Sequence, residues 1–134
     1  MKAQIIYDLT MSLMDERKND GSVEVNSTKD YKARSPGILT VLQTEIVMEL
    51  RRVGAQIDSL DELKNMDADI DLDDDICLGI IPYGLAGRLL AQEDSALSNY
   101  FSSLYDDKFG KYLRTYTKKS NQEIRPDVYN SLLR

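Results

Sequence analysis

Histidine and tryptophan are absent from this 134-residue chain, and cysteine occurs once. Without histidine, neither a Ser-His-Asp or Cys-His catalytic arrangement nor a His-ligated metal site can be built within the chain. The lone Cys77 excludes an intramolecular disulfide framework and suits a reducing compartment. No Gly-rich phosphate loop, G-x-S-x-G or C-x-x-C motif occurs. No apolar run approaches the roughly 20 residues needed to cross a bilayer. The opening "MKAQIIYDLTMSLMDE" is interrupted by Asp8 and followed by no small-residue cleavage site. These absences predict a protein that is not an enzyme, uses no cofactor or metal, has no membrane association and is cytoplasmic in origin.

What is present describes an ordinary globular chain. Apolar residues make up 42% and charged residues 30%, which sets it apart from a disordered segment. The length suits one domain able to bury roughly two-thirds of its unfolded surface. The net charge is −6, and it is unevenly spread. Nine acids stand against one lysine from Asp58 to Asp75, and seven bases against two acids from Lys108 to Arg134. Nucleic-acid binding calls for an overall basic excess. The polarity fits self-association or docking on charged partners better, and two separate solvated faces would give it as well.

The apolar spacing is helical throughout. Ile5, Ile6, Leu9 and Leu13 form a stripe over Ala3 to about Glu16. "KNDGSVEVN" then reads as a turn with a short extended or hairpin piece. Ser27 or Thr28 is placed to cap a second helical run with Asp30 in its first turn. Tyr31, Ile38, Leu42, Ile46, Leu50 and Val53 recur along this run, and Pro36 interrupts it. Either one helix kinks there, or Ser35 caps a fresh helix with Pro36 at its first position. The second predicts a main helix from about Pro36 to Arg52, with Arg51 and Arg52 at its end and Gly54 as its stop.

After a connector with a short turn near Asp58–Lys64, a central helix is predicted from about Asp74 to Gln92, kinked near Pro82. Ile80, Gly84, Gly87 and Ala91 share one stripe of it. Glycines in a helix cost about 1 kcal/mol each relative to alanine, which close contact with a neighbouring helix offsets. Asp94 or Ser95 caps the last helix. Leu97, Phe101, Leu104, Lys108 and Tyr112 form one row of it, and Tyr100, Tyr105, Phe109, Leu113 and Tyr116 widen the apolar face into the core. The expected fold is all-α: a small bundle of about four helices, a short extended or hairpin loop after the first, and an extended C-terminal tail. Residues 1–119 form the single helical domain, and 120–134 the tail.

The stretch "DADIDLDDDICLG" invites a calcium reading. An EF-hand loop needs acids at positions 1, 3 and 5, glycine at 6 and glutamate at 12. Registers starting at Asp67, Asp69 and Asp71 place Leu72, Asp74 and Ile76 at position 6, and Leu78, Ile80 and Pro82 at position 12. All fail. The alternation instead lets Ile70 and Leu72 face inward, with Asp73 or Asp74 capping the central helix and Leu72 stapled to a buried Cys77. Neither packing nor capping accounts for Asp67, Asp69 and Asp71, which makes them candidates for a partner surface. The complementary candidates are Lys111, Arg114, Lys118 and Lys119, with Ile124, Val128, Tyr129, Leu132 and Leu133 of the tail.

The block "IDLDDDICLGIIPYGLAGRLLAQEDSALSNYFSSLYDDKF" resembles the helical head–tail connector (adaptor) proteins of tailed phages and prophages. The matching positions are Leu72, Asp73 and Asp74; Ile81, Pro82, Tyr83, Leu85, Ala86, Leu89 and Leu90; Glu93 and Asp94; then Ala96, Tyr100 or Phe101, and Tyr105. "DYKARSPGILTVLQTEI" is similar to the preceding helix of such proteins, and together the two cover about two-thirds of the chain. This is a packing pattern with no catalytic residues to transfer. The resemblance implies a helical bundle forming a homo-oligomeric ring with portal and tail-side connector proteins, through which DNA passes without specific binding. It implies the host cytoplasm during assembly, then the virion. The tail would grip a neighbouring subunit. The alternative is a small non-catalytic adaptor or regulatory domain that binds one protein partner through its acidic connector and tail.

Overall fold

Five α-helical segments and one long connector make up the described residues of the computed structural model, 1–15 and 25–132, with side chains described for 1–15 and 28–117. The segments are α1 (Ala3–Leu13), α2 (Val25–Arg52), α3 (Asp74–Gly79), α4 (Ile81–Leu89) and α5 (Ser95–Leu132). The fold is the expected all-α bundle. The extended or hairpin piece expected over 18–27 falls largely on 16–24, outside the described residues; 25–27 are already helix. No strand forms among the described residues, which contain one isolated antiparallel bridge between Lys2 and Asp69.

Helix α4 is the hub. Seven of its nine residues are buried, and it packs against α1, α2, α3 and α5. An element apolar on every side belongs in the middle of a bundle. Its glycines permit two close crossings. A Cβ on Gly84 would stand 2.8 Å from a Tyr105 ring carbon, and one on Gly87 would stand 2.6 Å from Ser102 Oγ and 3.1 Å from its backbone nitrogen. At the second crossing Ser98 Oγ donates to the Gly87 carbonyl at 2.7 Å. Gly84 and Gly87 thus let α5 lie directly on α4, whereas Ile80 and Ala91 of the predicted stripe fall outside the helix, Ala91 exposed.

The predicted central helix of Asp74 to Gln92 is two helices. Pro82 has no N–H to give the Leu78 carbonyl, so the chain breaks at Ile80 (φ −125°, ψ −56°) and restarts with Pro82 in the first turn of α4. Pro36 does the opposite and sits inside the unbroken α2. Ser35, expected as a cap, is buried within that helix and donates to the Tyr31 carbonyl at 2.6 Å. Nor does Ser27 or Thr28 start the helix, because it already begins at Val25. Both prolines lack the same N–H, yet the chain breaks before Pro82 and stays helical through Pro36.

Helix α1 turns a different face inward from the one its aliphatic stripe suggests. Ala3, Ile6, Tyr7, Thr10 and Met11 are buried, while Ile5 is 46% and Leu13 37% exposed. The buried set has equally good helical spacing and includes Tyr7, whose hydroxyl donates to the Thr28 carbonyl at 3.3 Å. Gly54 ends α2 with φ +105°, a left-handed geometry that favours glycine. Asp94 caps α5, its Oδ1 accepting from Leu97 N–H at 3.0 Å.

The expected exit from the helix after Lys119 does not occur. The backbone of α5 stays helical to Leu132, straight through Pro126. Residues 118–125 hold no glycine or proline, and an internal proline removes a single helical hydrogen bond from a long run. At 1.5 Å per residue the 38 residues of α5 span about 57 Å, roughly four times the length of α4.

Candidate functional site

The connector from Val53 to Asp73 is tied down by its apolar and backbone groups, which leaves its carboxylates outward. Leu63, Met66 and Ile70 are buried, and Ala68 and Leu72 half-buried. Gln43 Nε2 donates to the Asp61 carbonyl at 2.6 Å, and Leu63 N–H donates to Thr40 Oγ1 at 3.0 Å. Across the connector, Ala3 N–H donates to the Ala68 carbonyl at 2.9 Å, and Ile70 N–H donates to the Met1 carbonyl at 2.8 Å. With alternate side chains pinned inward, Asp67, Asp69 and Asp71 are held outward and exposed. None of the three forms an ion pair among the described residues.

Asp73 occupies the N-cap position of α3, yet its carboxylate makes no capping hydrogen bond. Asp73 Oδ2 instead accepts from the Tyr112 hydroxyl at 2.8 Å. This joins the acidic connector to the middle of α5. Burial first, and the bond to Asp73 second, push the Tyr112 phenol well above its ordinary range. Cys77 is fully buried, as expected, and its thiol donates to the Leu72 backbone carbonyl at 3.6 Å, a polar contact and not the side-chain staple expected.

Asp73 and Tyr112 both line a cleft of about 370 Å³. Its apolar lining includes Leu50, Ile57, Leu72 and Ile76. Tyr112 and Tyr116, their rings 6.4 Å apart and 25° from parallel, line it together with Asp71 and Asp73. Among the described residues, no lysine or arginine lines it. Asp67 and Asp69 lie elsewhere, on a second cleft of about 390 Å³ with Asp61, Glu62 and Lys64. Among the described residues, no group of three or more His, Cys, Asp or Glu side chains is arranged to hold a metal ion. No helix of the described residues is long and apolar enough to cross a membrane.

Compared with models of known protein families, with curated proteins and with solved structures, the chain matches none.

The sequence-selected residues thus divide. Asp71 joins the tyrosine cleft, whereas Asp67 and Asp69 do not. Lys111 and Arg114 are exposed on α5, and Lys111 pairs with Asp107 of the preceding turn at 3.0 Å. Positions 118, 119, 124, 128, 129 and 132 belong to the α5 helix, with side chains outside the described residues; Leu133 lies outside them altogether. Sequence reasoning missed the second role of Tyr112 and Tyr116. It placed them in the core row, where their i, i+4 spacing fits, but a phenol also carries a polar end that needs a partner.

Proposed function

We propose that this chain is a non-catalytic structural protein of a tailed phage or prophage. In this reading it is a head–tail connector subunit that assembles with its own copies as a ring beneath the portal and forms part of the DNA conduit. The supporting observation is where the resembling residues lie. Pro82, Leu85, Ala86 and Leu89 are buried in the α4 hub, and Tyr105 of α5 packs against Gly84. This buried part of the pattern supports the reading, while Asp73, Asp74, Glu93, Asp94, Ala96 and Tyr100 of the same pattern are exposed. Helix α5 offers a long arm for contacts between neighbours, and the outward aspartates suit a conduit that repels DNA phosphates.

The test is electron microscopy of the purified chain mixed with portal rings. A ring of added density on the tail-side face of the portal is expected. No ring, with or without portal, overturns the reading. Gel-shift titration at low salt should show no retention of duplex DNA, and tight binding would count against a passive conduit. The second reading, an adaptor for a single protein, uses the same acidic connector. A discrete one-to-one complex without rings would favour it.

A further inference from the structure

We propose that the Asp71–Tyr116 cleft receives basic side chains from α5 of a second copy of this chain. This deepens the connector reading by naming its subunit contact. Among the described residues, the cleft joins apolar side chains, two tyrosine rings and two carboxylates, with no lysine or arginine in its lining. Such a lining takes a group with a cationic head and an apolar stem. Arginine is the best match, because its guanidinium stacks on aromatic rings and bonds carboxylates in a bidentate fork. Asp71 is exposed and has no ion-pair partner among the described residues.

The same chain carries the complementary surface. Lys111 and Arg114 are exposed, and position 118 continues their row at i, i+3, i+7 spacing along α5. At 3.6 residues per turn this row lies roughly 150° around the helix from Tyr112 and Tyr116. One copy therefore presents the acidic cleft on one side of α5 and the basic row on the other. Its own basic row cannot fold back into its own cleft, but a second copy's can. Two unlike surfaces on opposite sides generate a head-to-tail association, which closes into a ring when the rotation between copies allows.

Complementation tests this in sedimentation velocity of the full chain. Wild type at low salt should self-associate, and salt of about 0.5 M should reverse it. Asp71→Lys disables the cleft, and Arg114→Glu with Lys118→Glu disables the row. Each variant alone should associate at least tenfold more weakly. An equimolar mixture should form a heterodimer, since each partner keeps one intact surface. A monomeric wild type at every concentration overturns the proposal, as do variants that associate like wild type or a mixture that stays monomeric. Asp71→Asn serves if the lysine variant misfolds, judged by circular dichroism. Rings formed on portal by Asp71→Lys as readily as by wild type would overturn this contact while leaving the connector reading standing.

Discussion

At the scale of single residues, three glycines in helices have three different surroundings. Gly87 meets backbone: an added methyl would stand 3.1 Å from Ser102 N and 3.3 Å from Ser98 O, as well as 2.6 Å from Ser102 Oγ. Gly84 meets the Tyr105 ring and Leu42, and Gly37 meets nothing within 4 Å. Gly87→Ala should therefore destabilise the fold by about 1–3 kcal/mol. Gly37→Ala should stabilise it by about 0.5–1 kcal/mol through helix propensity. Urea unfolding followed by circular dichroism measures both, and equal effects would refute the close crossing. Two buried acids, Cys77 and Tyr105, add to Tyr112 in making stability fall at alkaline pH. Burial pushes the Cys77 thiol up from 9.0 to about 11 and the Tyr105 phenol up from 10.0 to about 12. The folded chain holds both protons more tightly than the unfolded one. Their contribution is complete below about pH 9 and is lost as pH rises through 11 to 12. Urea midpoints should fall across that window, and Tyr105→Phe should flatten its upper part.

At the scale of elements, the two prolines separate local rule from tertiary decision. Pro36 lies inside α2, where the missing N–H leaves the Lys32 carbonyl without its helical donor. Pro36→Ala restores that bond and should raise stability by about 1 kcal/mol or more, read as a higher thermal midpoint. A fall would mean that the Pro36 ring contributes packing beyond its half-buried position. The Tyr112–Asp73 bond is the described side-chain hydrogen bond from α5 to the acidic stretch. Tyr112→Phe keeps the ring and should cost about 1 kcal/mol. It should also speed amide exchange over 71–76 while leaving 98–105 unchanged, because the latter is held by the Gly84 and Gly87 crossings. The cap at Asp94, the stop at Gly54 and the close approach at Gly84 and Gly87 were legible from spacing. Ser27, Thr28, Ser35 and Asp73, in contrast, do not cap as their chemistry suggests, and the central helix breaks at Ile80. The buried face of α1 was not legible either, because apolar residues run around much of that helix and only its neighbours select which side is covered.

At the scale of the whole molecule, charge is the organising feature. The net −6 collects where Asp67, Asp69, Asp71, Asp74 and Asp75 stand exposed, without ion pairs among the described residues. Like charges crowded along one stretch repel one another, and salt screens them over about 8–10 Å at physiological strength. Raising salt from about 10 to 150 mM should therefore raise the thermal midpoint of the monomeric Asp71→Lys chain less than that of Asp71→Ala. Scanning calorimetry across the series measures this. Equal slopes would mean that the acidic row contributes little field.

Composition and spacing by themselves determined the class of this protein. They specified a helical bundle without histidine chemistry, a hub helix marked by Gly84 and Gly87, and an acidic stretch whose apolar alternates point inward. Those properties are local, since periodicity, propensity and residue chemistry act within a few turns of chain. Only the tertiary structure decided which proline breaks its helix, which face of α1 is covered, and that Asp73 bonds Tyr112 instead of capping α3. Each of these depends on groups distant in sequence competing for one partner or one surface. The tyrosine cleft arises in the same way, because its walls come from α2, the connector and α5 and meet only when α4 has brought them together.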